Sequence, residues 1–329
     1  MATIQDVAHY ANVGAATVSR VLSGNGYVKD ETRKKVESAI KELNYTPNQM
    51  ARNLYFHKSG IVAVIVPEVS HPFFAEFVSE AEAELCEKGY ETMICNTYYE
   101  QNFELQYLDM LKQQRVDGII FGGHTLDVEF FENINRPIVA LDRELGDKIP
   151  CVAADHQQGG KLAALELIEA GCHRVIQFGG RNEITTPSNK RHIVFSNLME
   201  QNGIYCYSQP MRYNVWNNDY YRSIVREALD ACPDADGVFG TDLIIIACRQ
   251  ALLEKGKRIP EDVKMVSYDG TSVMELLLPT ITYVKQPISE LAKKAVDLVV
   301  DRIEGKNNTE KAENISLPVT LVKGNSTLR

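Results

Sequence analysis

The chain has 329 residues, 44% apolar and 24% charged, a balance that buries sizeable cores, excludes wholesale disorder and calls for two or three compact units. No apolar run approaches the ~20 residues of a membrane span. The start, MATIQDVAHYANV, has neither a basic leader nor an apolar signal core, so a cytoplasmic protein is expected. The net charge of −9 is uneven: residues 1–58 carry eight Lys/Arg against five Asp/Glu, and the remainder 27 against 39, so the mildly basic head is the end that suits a polyanion.

In chain order, Ile4, Val7, Ala8 and Ala11 form one apolar helical stripe, and Thr3 with Asp6 fits a capping box at its start. Asn12-Val13-Gly14 reads as a tight turn in which Gly14 takes the unusual backbone angle. A second short helix, Ala15 to Leu22, turns Val18, Val21 and Leu22 inward, and a third, from about Asp30 to Leu43, buries Val36, Ala39, Ile40 and Leu43. Two short helices joined by a tight turn and braced by a third make a helix-turn-helix. Its second helix enters the major groove with N-terminal residues at the base edges. Arg20 can give two donors to guanine, and Ala15 or Ala16 can meet a thymine methyl. Thr17, Ser19 and Ser23 suit phosphate oxygens.

The runs TIQDVAHYANVGAATVSRVLSG and VKDETRKKVESAIKELNYTPNQMARNL closely resemble the head of the lactose/galactose repressor family, nearly without gaps through residue 54. Gly14 departs from the family, where a small hydroxyl residue is commoner. The resemblance implies a transcriptional regulator that binds a double-stranded DNA operator as a homodimer, with Tyr45 and Asn48 joining the backbone contacts. Pro47 suits the first turn of a new helix, and Asn48 to Leu54 is only about two turns, too short to be stable alone in water. In the family this hinge helix pairs with its twin in the minor groove and wedges a leucine into the central base step, which implies that role for Leu54.

From Gly60 on, short β-branched runs alternate with amphipathic helices, the pattern of an α/β domain with parallel sheets. The pattern is written twice. Ile61–Val66 answers to Val175–Phe178, Lys88-Gly89-Tyr90 to Asn202-Gly203-Ile204, Val116-Asp117-Gly118-Ile119 to Ala235-Asp236-Gly237-Val238, and Val139–Asp142 to Val266–Asp269. Asp117 and Asp236 are expected to cap turns. The fold expected is therefore α/β: an N-terminal all-α helix-turn-helix head at 1–46, a hinge and linker at 47–59, and a two-subdomain parallel-sheet core at 60–329. Within that core, one subdomain is assigned to 60–157 plus 290–329 and the other to 158–289.

Open α/β sheets bind ligands beyond the carboxyl ends of their strands. The candidates at such ends are His71, Phe73, Phe74, His124, Asp142 and Arg143 in the first half, and Arg181, Thr241, Asp242 and Asp269 in the second. The core resembles the family's effector core and periplasmic sugar-binding proteins, which implies Asp142, Arg191, Trp216, Thr241 and Asp269 as effector anchors, with His71 and Phe73 beside them. For Trp216 packing is an equal reading, and for His71 and His124 a structural or solvated role stands beside ligand contact. The family's R-x-x-G-F reads Arg191-His192-Ile193-Val194-Phe195 here, without the glycine, so this helix is expected to sit differently. Carboxylates, arginine and flat aromatic faces suit a sugar, with induction expected. A purine or phosphorylated corepressor is the alternative, and a sugar-transport protein is the rival class, which would need a signal segment and no helix-turn-helix.

No dinucleotide, P-loop or hydrolase-elbow motif occurs, and His and acidic residues do not cluster at metal-ligand spacing, so neither an enzyme, a cofactor nor a metal is expected. The seven cysteines, scattered and without C-x-x-C, read as reduced thiols. The end, LVKGNSTLR, has no leucine heptad, so a dimer is expected rather than a tetramer, without membrane contact.

Overall fold

The computed structural model describes residues 2–23, 26–45, 58–98, 101–123, 126–131, 133–179, 186–212, 215–306 and 312–328. They fall into two compact units, Met1–Ser59 and Gly60–Arg329. Asn48 and Leu54 lie outside the described residues, as do His124 and Arg181.

The first unit holds helices α1 (Ile4–Tyr10), α2 (Ala15–Ser23) and α3 (Asp30–Glu42). Thr3 and Asp6 form a reciprocal capping box: the Thr3 amide donates to Asp6 at 2.7 Å and the Asp6 amide to the Thr3 hydroxyl at 3.3 Å. The left-handed residue of the α1–α2 turn is Asn12, at φ 52°, and not Gly14, whose missing Cβ would meet open space. Gly14 instead precedes α2, its carbonyl accepting from Thr17 at 2.8 Å. The helices close on Val7, Ala8, Val18, Val21, Val36 and Ala39. Tyr45, expected on the DNA backbone, is buried in this core at 9% exposure. The cause is local: Asn44 adopts φ 45° after α3, and the Tyr45 amide turns back to the Ile40 carbonyl at 2.9 Å. That is the left-handed helix stop with its apolar residue folded onto the last turn.

The second unit contains two six-stranded sheets with the same order. The first runs β11-β5-β4-β3-β1-β2, from β1 (Ile61–Val66), β2 (Glu91–Asn96), β3 (Gly118–Phe121), β4 (Ile138–Leu141), β5 (Cys151–Ala154) and β11 (Ile315–Leu317). The second runs β12-β10-β9-β8-β6-β7, from β6 (Arg174–Phe178), β7 (Tyr205–Gln209), β8 (Gly237–Thr241), β9 (Lys264–Asp269), β10 (Thr282–Lys285) and β12 (Thr320–Val322). All pairings are parallel except β10 with β12. Helices α4 (Pro72–Glu87), α5 (Gln101–Lys112), α6 (His156–Glu169), α7 (Lys190–Gln201), α8 (Asn218–Ala231), α9 (Asp242–Glu254) and α10 (Ile288–Ile303) accompany them. Central strands such as IVAVIV read as continuous apolar runs because helices cover both faces.

The repeat extends to its caps. Asp117 accepts from the Gly60 amide at 2.8 Å, and Asp236 accepts from the His173 and Arg174 amides at 2.9–3.0 Å, each carboxylate fixing the start of its half's first strand. Gly89 and Gly203 end α4 and α7 at φ 79° and 69°. The chain crosses between the halves before α6, before α10 and between β11 and β12. Helix α10 packs on α4 and the first sheet, as the sequence grouping required, but residues 320–322 pair with β10 in the second sheet. The C-terminal stretch is thus shared between the halves and not confined to the first. A two-residue crossing, Pro318 and Val319, tied by the Val319 amide to Gln158 Oε1 at 3.0 Å, is too short to leave a compositional mark.

Candidate functional site

In the head, Ala15, Ala16 and Arg20 on α2 are exposed, and Thr17 and Ser19 half-buried, while Val18 and Val21 face the core. That is the division a groove-reading helix needs: one stripe anchors it and the other carries donors and methyls outward. Ser23 ends the helix.

In the second unit, His71, Phe73, Asp142, Arg191, Trp216, Thr241 and Asp269 all line one cavity of about 170 Å³, where the carboxyl ends of both sheets' strands meet. His71 and the first turn of α4 follow β1, Asp142 follows β4, Thr241 ends β8 and Asp269 ends β9. Asp142 and Asp269 occupy equivalent strand ends, and both have positive φ, 56° and 108°. Non-glycine residues accept that strain where a site fixes them.

The two aspartates differ in surroundings. Asp142 accepts from His156 Nε2 at 2.7 Å, and its side chain is 16% exposed. Asp269 is buried, with Gln286 Nε2 donating to it at 2.8 Å. Burial pushes the Asp269 carboxyl up, to about 8, with the nearby Asp242 carboxylate adding to the push and Arg191 opposing it. Asp242 is raised too, chiefly by burial, but Ser267, Thr271 and the Gly270 amide all donate to it, so of the two it is the better-supported anion. Asp242 therefore holds the β9–Gly270–Thr271 corner and does not line the cavity. Arg143, another strand-end candidate, is also structural: it is buried, donating to the Gly123 carbonyl at 3.0 Å and to that of Leu126.

Arg191 is pinned from two sides. Its Nε donates to His192 Nε2 at 3.2 Å, and its guanidinium lies 4.4 Å over the Tyr268 ring. The close helix contact expected of the missing family glycine is supplied by the facing helix: a Cβ on Gly160 of α6 would stand 2.2 Å from the Arg191 carbonyl oxygen. Val194 is half-buried, and Phe195 stacks on Phe239 at 4.4 Å.

The aromatic wall joins the halves. His71 meets Trp216 edge-on at 4.3 Å and Phe74 at 5.6 Å. Trp216 thus packs and lines the cavity at once. Both ring nitrogens of His71 are buried without a hydrogen-bond partner among the described residues, and burial lowers its pKa to about 3. Gln286 Oε1 and His192 Nδ1 are likewise buried and unsatisfied beside the cavity. Gln286, His192, Phe178 and Asn189 are lining residues that sequence reasoning missed. Gln286 directly follows β10, so the strand-end rule finds it once that strand is recognised.

A helix-turn-helix head on a chain whose second unit holds a polar and aromatic cavity between two α/β halves defines a ligand-responsive DNA-binding regulator. Residues 3–48 match the bacterial regulatory proteins of the lacI family, and residues 164–327 the periplasmic binding protein-like domain. The chain is 37% identical over 307 residues to the ribose operon repressor of Halalkalibacterium halodurans, covering 93% of this chain and 92% of that one. It is 32% identical to the sucrose operon repressor of Streptococcus mutans over 99% of both. Its fold matches the lac repressor dimer bound to operator and the anti-inducer ONPF, with a TM-score of 0.84 at 24% identity, covering 100% of this chain and 99% of that one. The protein belongs to the lacI family of bacterial transcriptional regulators. No helix among the described residues is long and apolar enough to cross a membrane.

Proposed function

We propose that this protein represses carbohydrate-utilisation genes and is released from its operator by a free, monosaccharide-sized sugar held between the halves of the second unit. The observation that carries the reading is the cavity itself: Asp142, Arg191 and Gln286 offer directional polar groups, while Phe73 and Trp216 offer flat apolar faces. Sugars present that pairing of hydroxyls and C–H surfaces. At about 170 Å³ the space lies below the ~300–1,000 Å³ that drug-sized ligands fill, which favours a pentose over a disaccharide. Relatives named for ribose and for sucrose bracket the choice. The Asp142 carboxylate at its strand end disfavours a phosphorylated ligand.

On the DNA side, Arg20, Ala15 and Ala16 read bases, Thr17, Ser19, Ser23 and Asn48 hold phosphates, and Leu54 opens the centre of a pseudo-palindromic site. Tyr45 is not among these contacts, since it packs in the head core. A homodimer follows from the hinge, since so short a helix needs a twin to form. Such a regulator works in the cytoplasm, where its DNA is. Ligand coupling of ~1–3 kcal/mol is enough to change operator affinity several-fold to a hundredfold.

Trp216 is the only tryptophan of the chain and lines the cavity, so its emission reports occupancy directly. Titration with D-ribose, sucrose and ribose 5-phosphate should give a saturable change with ribose at the lowest concentration. A response to the phosphate ester alone, or to none of the three, would overturn the proposed ligand class.

A further inference from the structure

At the first crossing between the halves, where Asp155 caps α6 and His156 begins it, the chain places an imidazole with both nitrogens engaged. His156 Nε2 lies 2.7 Å from Asp142 Oδ1, in the first half, and Nδ1 lies 2.8 Å from the Tyr268 hydroxyl, in the second. The ring is 2% exposed and stacks with Tyr268, centroids 5.6 Å apart at 24°. A carboxylate can only accept, so Nε2 carries a proton; in the neutral imidazole Nδ1 then accepts and the phenol donates. The donors therefore run in one direction, from Tyr268 through His156 to Asp142. Tyr268 is fully buried, and burial raises its pKa, which keeps the phenol protonated for this task.

Two further features hold the arrangement. A Cβ on Gly159 would stand 2.6–2.7 Å from the Tyr268 ring and hydroxyl, so the glycine clears the space that the phenol needs. Arg191 packs on the same group, its guanidinium 4.4 Å over the Tyr268 ring. Asp142 and Arg191 thus meet through His156 and Tyr268 as well as across the cavity. The exposed Lys190–Glu144 pair also spans the halves, at 3.7 Å, but a solvated pair of that length carries little.

We infer that His156 is a positioning residue: it orients the Asp142 carboxylate toward the ligand and ties it, through the Tyr268 hydroxyl, to the second half. Ligand engagement at Asp142 is thereby transmitted across the crossing. This rests on the sugar reading of the cavity. Asp142 in its left-handed conformation has a buried imidazole donor on its carboxylate, and a hydroxyl of the ligand competes for, or shares, the same oxygens. The strength of the His156 bond therefore depends on occupancy, and Tyr268 feels the change.

The test uses full-length protein, D-ribose as probe, Trp216 emission for binding, and a duplex selected by the protein from a random-sequence pool for operator affinity. His156→Phe should weaken ribose binding by about tenfold or more, the loss of a hydrogen bond to a charged group, with ribose-free operator affinity unchanged. His156→Gln, whose amide can donate to Asp142 and accept from Tyr268, should recover most of that loss. Tyr268→Phe, one oxygen removed, should keep ribose binding within about threefold yet cut the ribose-induced drop in operator affinity by about fivefold or more, the lower range of allosteric coupling. Equal binding and response in His156→Phe, no rescue by glutamine, or an unaltered response in Tyr268→Phe would overturn the relay. If His156→Phe fails to fold, Tyr268→Phe alone decides. A wild-type protein insensitive to ribose and to sucrose would instead overturn the sugar reading of the cavity.

Discussion

The two halves of the second unit have the same strand order and the same caps, yet they treat equivalent strand ends differently. Asp142 follows β4 in a partly open site beside an imidazole donor, whereas Asp269 closes β9 in full burial beside a second carboxylate. The first half also supplies His71 and Phe73, and the second Arg191, Trp216 and Gln286. Repetition of a backbone thus fixes where ligand-facing residues stand, and their neighbours decide whether a carboxylate serves as an open acceptor or as a buried group inclined to hold its proton.

The largest effect should come from the arginine that the second half places in the cavity. Arg191→Ala removes the half-buried guanidinium held by His192 and Tyr268, and ligand affinity should fall by about 1.5–3 kcal/mol, as for loss of a hydrogen bond to a charged group, with operator binding preserved. Fluorescence titration beside mobility shift checks this; loss of both activities would make the residue a structural one.

Asp269 should show the asymmetry as pH dependence. Its folded pKa is raised from the ordinary 3.8 to about 8, so the stability it contributes is complete below that lower value and disappears as pH rises through about 8. Asp269→Asn should therefore melt above the wild type at pH 8, by ~2–4 °C for each kcal/mol relieved, and lose most of that advantage at pH 5. Melting curves at the two pH values measure it. An advantage that is the same at both would deny the carboxyl its raised pKa.

His71 works with the opposite sign. A histidine whose folded pKa is depressed to about 3 contributes stability above the unfolded value near 6.5, and that stability is lost as pH falls toward 3. His71→Phe, which also removes two buried nitrogens without partners among the described residues, should gain roughly 1–3 kcal/mol over the wild type in acid and less at neutral pH. Acid unfolding followed by circular dichroism tests it, with His192 leaving some acid sensitivity in both proteins.

The smallest effect tests the likeness of the halves. Gly89 and Gly203 end equivalent helices at φ 79° and 69°, with open space where a Cβ would stand. Gly89→Ala and Gly203→Ala should each cost about 1–2 kcal/mol, the left-handed penalty without a clash. Markedly unequal costs in urea unfolding would show that the repeat does not extend to its caps.

The parts legible in the sequence were those written contiguously. The head motif occupies one run of residues, and its helices recur within a residue or so of the positions that periodicity gives. The repeat was legible because Asp117 and Asp236, or Gly89 and Gly203, keep their spacing to neighbouring strands. The strand-end rule reached His71, Phe73, Phe74, Asp142, Thr241 and Asp269 of the cavity, and the family resemblance added Arg191 and Trp216, but the rule could not separate those that face it from Asp242 and Arg143, whose partners come from loops elsewhere in the chain. His156 left no local signal: its partners lie 14 and 112 residues away, and only the crossing brings them together. Tyr45 was misplaced for a related reason, since an asparagine helix stop folded its ring inward. The pairing of β12 with the second sheet depends on a crossing too short for composition to register.

The most direct test is thermodynamic reciprocity between the two units. Ribose affinity should be measured from Trp216 emission with and without saturating operator, and operator affinity with and without saturating ribose. Linkage requires one factor in both directions, about 5- to 150-fold for ordinary allosteric coupling. Ribose that binds at Trp216 while operator affinity stays the same would contradict a sugar-controlled repressor.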